Sequence, residues 1–203
     1  AQVEHAHLPG GIDFARVLGP FAQHRAAVGI GEPRLQARHH PSERTALLLA
    51  EMPIDDWYFT IQNELHPVFH CTRAAWPHLV ASQGCILNVA SIAATHGVDF
   101  VPMAPHGAAK GGVLSFTKHL VAEGAGLGVR ANVISPGMIR TPETAQFLDI
   151  PDHPLHQVLA ATPARRAGEP IEVAKLAVFL CSDDAAYVNG AHIAIDGGKS
   201  AID

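Results

Sequence analysis

The sequence predicts an α/β domain in which a parallel sheet lies between layers of helices. Three short apolar runs carry that expectation: 84–91 (GCILNVAS), 129–134 (VRANVI) and 191–195 (AHIAI), each bounded by Gly, Ser, Pro or Asp. Continuous apolar runs of this length are the mark of strands buried on both faces, which belong to parallel sheets. Stretches with helical periodicity separate them. Strands alternating with helices connect through right-handed crossovers into such a sheet.

Each element has its own signal. Pro53-Ile54-Asp55-Asp56-Trp57 reads as a helix start, its two carboxylates suiting the positive end of the dipole. One long helix is expected over residues 57–79, bent at Pro67. After the strand at 84–91 comes a loop over 92–105, then a second long helix over 106–124 that is rich in Ala and Gly at its start. The strand at 129–134 closes on Ser135-Pro136-Gly137, and residues 141–162 read as a helical excursion broken by Pro151 and Pro154. A further helix is expected over 170–181, with Pro170 in its first turn, before the strand that ends at Asp196-Gly197-Gly198. The first 45 residues carry no sustained period: 10–18 reads as a turn leading into a strand, and 19–45 as an irregular segment. The expectation is a single domain, with 1–45 irregular or rebuilt and 46–200 as its regular core.

Composition narrows the class. Apolar residues make up 48% and charged residues 16% of the chain, and the formal charge is -5, so a nucleic-acid surface is not expected. No apolar run approaches the ~18 residues of a membrane span, and no signal segment is read at the start. Cys71, Cys85 and Cys181 show no pairing or metal spacing, which suits a reducing cytosol.

Five stretches in order resemble the short-chain dehydrogenase/reductase family. They are Asp56-Trp57 with Phe69-His70-Cys71-Thr72-Arg73-Ala74-Ala75; Leu87-Asn88-Val89-Ala90-Ser91; and His106-Gly107-Ala108-Ala109-Lys110-Gly111-Gly112. Then come Val129 through Thr141, with Ser135-Pro136-Gly137 at its centre, and Arg166-Ala167-Gly168-Glu169-Pro170 running on to Asp196-Gly197-Gly198. The resemblance implies a Rossmann-like three-layer fold, here truncated or rebuilt at its N-terminal side. It also implies a homodimer or homotetramer formed through the two long helices.

In that family an Asn-Ser-Tyr-Lys tetrad does the chemistry and a Gly-rich turn holds the dinucleotide. Matched position by position, the serine falls on Ser91 and the lysine on Lys110; the tyrosine position, four before the lysine, is His106. The asparagine position falls on Glu64, with Asn63 one place off and about 100° away round a helix. A phenol needs a neighbouring cation to transfer protons near neutrality, whereas imidazole titrates at ~6.5 unaided. The glycine turn has no good match: Gly29-Ile30-Gly31 resembles its end, but Arg25 stands where its first glycine belongs.

These residues lead to an expectation of a small-molecule enzyme without a nicotinamide cofactor, working by acid/base chemistry as an isomerase, lyase, dehydratase or cyclase. Ser91 would hold a substrate oxygen, His106 and Lys110 would handle protons, and Glu64 would assist. The alternatives are an NAD(P)-dependent oxidoreductase with an altered site, and a non-catalytic partner of a complete homologue. His66 and His70 have the i,i+4 spacing of metal ligands, yet 200° of helix between His66 and Glu64 points to packing or subunit contact. No metal is expected.

Overall fold

The computed structural model describes residues 48–97 and 102–202. The readings on 10–18, 19–45 and Gly29-Ile30-Gly31 lie outside the described residues, as does part of the loop at 92–105. The elements run α1 (Ile54–Glu64), α2 (His66–Ser82), β1 (Cys85–Val89), a 3-10 turn (Ile92–Ala94) and α3 (Ala104–Glu123). After these come β2 (Arg130–Pro136), α4 (Pro142–Leu148), α5 (Leu155–Ala161), α6 (Pro170–Cys181), a 3-10 turn (Asp183–Ala185), β3 (His192–Ile195) and a last 3-10 turn (Lys199–Ala201).

The strands form a parallel sheet in the order β1-β2-β3, with Cys85 opposite Arg130 and Val133 opposite His192. Alternation along the strands then assigns the faces. Asn88 and Val133 share one face, where Asn88 Nδ2 donates to Thr117 Oγ1 of α3 at 2.9 Å and Val133 packs on Val113 and Leu114. Cys85 and Arg130 share the other face, against α6, where Arg130 donates to the Leu180 and Ser182 carbonyls at 3.2 Å. Helices therefore cover both faces, and the fold is the Rossmann-like three-layer one.

The core sits between β2 and α3, where Val113 and Val133 are all but fully buried; Ile134 is as deeply buried on the opposite face of β2. Each such side chain contributes about 1.5–3 kcal/mol. β2 is buried along its interior, as its apolar run predicts, whereas β1 is only partly covered and Val89 is 49% exposed. Among the described residues β1 is an edge strand, and though helices pack on both its faces its side chains are less deeply buried than those of β2.

The single bent helix expected over 57–79 is two helices. Leu65 (φ -105°, ψ -48°) separates them, and Pro67 stands in the first turn of α2, where its missing N–H costs no hydrogen bond. The excursion at 141–162 resolves into α4 and α5, with a Thr141–Thr144 capping box starting α4. β2 runs two residues beyond the expected 134, through Ser135 and Pro136. Parallel pairing with β3 keeps them in the sheet, since Ser135 pairs with Ala194 and Pro136 with Ile195.

Candidate active site

Ser91 lies two residues beyond the end of β1, on the edge where open α/β sheets bind ligands. Its backbone is extended (φ -159°, ψ 158°), and its Oγ accepts from the Ala93 N–H at 3.2 Å to start the 3-10 turn. The hydroxyl proton takes no part in that cap and is left for a second partner.

α3 reaches this turn because its first turns carry little side chain. A Cβ at Gly107 would meet the Ala93 carbonyl oxygen at 3.0 Å, and one at Gly111 would meet the Ala94 carbonyl oxygen at 3.6 Å. On another side of the helix a Cβ at Gly112 would come within 2.9 Å of Leu65 Cδ2. The small residues at the start of α3 thus seat its N-terminal end between the Ser91 turn and the α1–α2 break.

That seating brings three charged or titratable side chains together. His106 Nδ1 lies 2.7 Å from Glu64 Oε2, with the two side chains 20% and 25% exposed. Lys110 Nζ lies 3.9 Å from the same oxygen and donates to the Val89 carbonyl at 3.4 Å. With Nδ1–H donated to the carboxylate, His106 keeps Nε2 to accept a proton, or to give one when protonated. Glu64 closes α1, so the break at Leu65 sets where its carboxylate points. Asn63 is not in the cluster: its Nδ2 donates to the Phe59 carbonyl one turn back, at 2.7 Å. The Val89 carbonyl was not foreseen, since a backbone acceptor leaves no trace in residue type.

His66 and His70 stand elsewhere. Their rings meet edge to face with centroids 6.2 Å apart, beside a groove lined by Leu65, Phe69, Gly112 and Phe116. Because α1 ends before His66, the 200° argument from one continuous helix does not apply to them. Among the described residues no three potential metal ligands cluster.

The loop after β2 forms the far wall at the strand ends. Gly137 donates to the Ile195 carbonyl at 3.1 Å, and a Cβ there would lie 2.8 Å from Asp196 Cβ. Met138, Ile139, Arg166, Glu172 and Asp196 line a cavity of about 130 Å³ beside it. The Arg166 guanidinium, bonded to both Glu172 oxygens at 2.7 Å, holds that carboxyl down to about 2. The motif residues Asn132 and Asn189 are structural. Asn132 donates to the Val188 carbonyl at 2.8 Å and accepts from Ala191 N–H at 2.9 Å, while Asn189 Oδ1 accepts from Ala131 N–H at 2.9 Å.

Comparison with known proteins agrees with this architecture. The family model described as enoyl-(acyl carrier protein) reductase matches residues 42–200. The chain is 37% identical over 153 residues to meso-2,3-butanediol dehydrogenase of Serratia marcescens, covering 75% of this chain and 59% of the relative. It is 36% identical over 152 residues to a 3-oxoacyl-[acyl-carrier-protein] reductase of Thermotoga maritima, covering 74% and 60%. Among solved structures, gluconate 5-dehydrogenase from Burkholderia cenocepacia J2315, in complex with NADP and tartrate, superposes with a TM-score of 0.72 at 29% identity. That likeness covers 78% of this chain and 61% of that one. The chain thus spans about 60% of the length of these curated relatives.

These findings correct two expectations. Relatives named as dehydrogenases and reductases overturn the reading of cofactor-independent isomerase, lyase or cyclase chemistry. A close structural neighbour with NADP bound overturns the expectation of no cofactor. The expectation of no cofactor rested on the N-terminal side of the chain alone. The poor glycine match lies at residues 25–31, whereas the family match covers 42–200 and with it Ser91, His106 and Lys110. With its matched motifs, its parallel sheet and these relatives, the chain belongs to the short-chain dehydrogenase/reductase family.

Proposed function

We propose that this protein is an NAD(P)-dependent oxidoreductase that interconverts a hydroxyl and a carbonyl group on a small-molecule substrate. The observation that carries this reading is the Glu64–His106–Lys110 cluster beside Ser91 at the carboxyl end of β1, in a chain whose relatives are named for that chemistry.

The donor set suits the nicotinamide-ribose end of such a cofactor. Lys110 has three N–H donors, of which the Val89 carbonyl engages one, while Glu64 at 3.9 Å is an ion-pair partner only; donors are left for a sugar hydroxyl. Gly137 and the loop that follows would supply backbone beside the nicotinamide. The cofactor, when bound, supplies or takes the hydride. The chain's residues manage the oxygen: Ser91 donates its hydroxyl proton to it, and His106 Nε2 gives the proton in reduction or accepts it in oxidation. Glu64 holds Nδ1–H and so fixes the tautomer and the ring's orientation, as the carboxylate does in other carboxylate–imidazole pairs.

The test is turnover. The purified chain is incubated with NADH or NADPH and a panel of ketones, aldehydes and β-ketoacyl thioesters, and cofactor oxidation is followed by absorbance. Carbonyl-dependent oxidation well above the blank is expected with at least one member. Oxidation at the blank rate throughout, from protein shown to be folded, would contradict the proposal.

Self-association through α2 and α3 belongs to the same reading. Phe69 is 46% exposed and stacks edge to face on Phe116 beside the groove described above, an apolar surface that a second copy would cover. Light scattering should give a particle of at least twice 21.5 kDa at micromolar concentration, and a monomer there would remove this part.

A further inference from the structure

Cys85 and Cys181 are far apart in sequence, and their spacing suggested no pairing. The fold joins them. Cys85 opens β1 and Cys181 closes α6, and Cys85 Sγ donates to the Cys181 carbonyl at 3.6 Å across a separation of 96 residues. The contact is held from both sides. Arg130, the register partner of Cys85, donates to the carbonyls of Leu180, Ser182 and Val188, each at 3.2 Å, which docks the last turn of α6 onto this face of the sheet. The two thiols also act on each other. Burial first, then the charge and hydrogen bond of the Cys85 thiol, push the Cys181 thiol up to about 11 against the opposing pull of Arg130.

We propose that Cys85 and Cys181 form a paired modification site, which a peroxide oxidant closes into a reversible intramolecular disulfide stapling the end of α6 to the start of β1. In the first step the thiol of Cys85, the partner of the raised Cys181 thiol, releases its proton and attacks a peroxide oxygen as thiolate; the O–O bond breaks and the departing hydroxide takes that proton, giving a sulfenic acid and water. The second thiol then attacks that sulfur, its proton leaves with the hydroxyl as water, and the S–S bond forms. Two thiols and one hydrogen peroxide thus become one disulfide and two waters, the sulfurs being oxidised and the peroxide reduced. Cys181 is exposed and Cys85 half-buried, so the oxidant has a route to the pair. The bond forms at the amino end of β1, whereas Ser91 lies beyond its carboxyl end, so the staple leaves the candidate active site open.

The experiment uses Cys71→Ser protein, which removes the other exposed thiol, treated with a small excess of hydrogen peroxide either folded or in urea. The folded sample should lose both titratable thiols and the mass of two hydrogens, and yield an 85–181 linked peptide on digestion. Dithiothreitol should reverse all three, and the rate should rise with pH as thiolate becomes available. In urea the linked fraction should be several-fold smaller, with separate oxygen adducts or intermolecular disulfides in its place. Folded protein that accumulates separate oxygen adducts, or disulfides between molecules, would overturn the proposal. So would an equal linked fraction in urea. As a further check, Cys85→Ser protein should give no intramolecular link; finding one would count against the assignment.

Discussion

Glu64 offers a single carboxylate oxygen to two partners, His106 at 2.7 Å and Lys110 at 3.9 Å. If His106 moves the proton, His106→Phe keeps the bulk, removes both nitrogens and should lower turnover by roughly 10²–10⁴-fold. Glu64→Gln keeps the shape and a hydrogen-bonding oxygen but removes the charge. Its loss should be smaller, roughly 10- to 100-fold, and fall mainly on kcat rather than KM. Steady-state kinetics of both variants checks this order, and an unchanged kcat in His106→Phe would leave that residue as filler. Ser91, His106 and Lys110 were legible because their spacings lie within a strand end and one helix start. Glu64 was separable from Asn63 only through register. The Val89 carbonyl that meets Lys110 could not be read at all.

Between the residues and the site stand the elements, and here close approach decides. Gly107→Ala would press a methyl against the Ala93 carbonyl at 3.0 Å, so α3 or the Ser91 turn must shift by a few tenths of an ångström. The cost to stability should be modest, about 1 kcal/mol, because small-to-large changes in packed contacts run at this scale or above. Turnover should suffer more than stability, since the shift separates Ser91 from His106. Thermal unfolding and kinetics on the one variant compare the two effects. Asn132→Leu is the opposite case. It orphans the Ala191 N–H at a position 1% exposed, whereas the Val188 carbonyl keeps its bond from Arg130 at 3.2 Å. One such buried group at about 1–3 kcal/mol should lower Tm by several degrees. The strands were readable because a buried strand needs a continuous apolar run. The α1–α2 break was not, because a proline in a first turn and a proline at a bend look alike in sequence.

At the scale of the whole molecule, pH dependence follows from two groups whose direction is clear. Burial, then the charges of Lys118 and His96, push the His192 imidazole below its ordinary value while Ser135 Oγ sits 2.7 Å from its Nε2. The folded state therefore binds fewer protons than the unfolded one. Stability is complete above ~6.5 and is lost as pH falls from there through the folded value. Asp196 extends the loss to lower pH. Burial raises its carboxyl, but the Ser200 hydroxyl and the N–H groups of Ser200 and Gly198 together outweigh that and hold it down. Its contribution is present above ~4 and disappears as pH falls through the depressed value. Tm measured from pH ~7 to ~5 should decline in the parent and decline less in His192→Gln.

The same scale holds the main misreading. Fold and family were legible because their motifs fill 42–200. The cofactor was misjudged because the expectation rested on a weak glycine match at 25–31, outside the 42–200 that the family match covers. The most direct test is therefore a binding titration of the purified chain with NADPH and NADH, followed by nicotinamide fluorescence or calorimetry. The account predicts saturable binding of at least one of them with Kd in the micromolar range, about −8 kcal/mol at 1 μM. Absence of saturation for both at millimolar concentration, in folded protein, would contradict it.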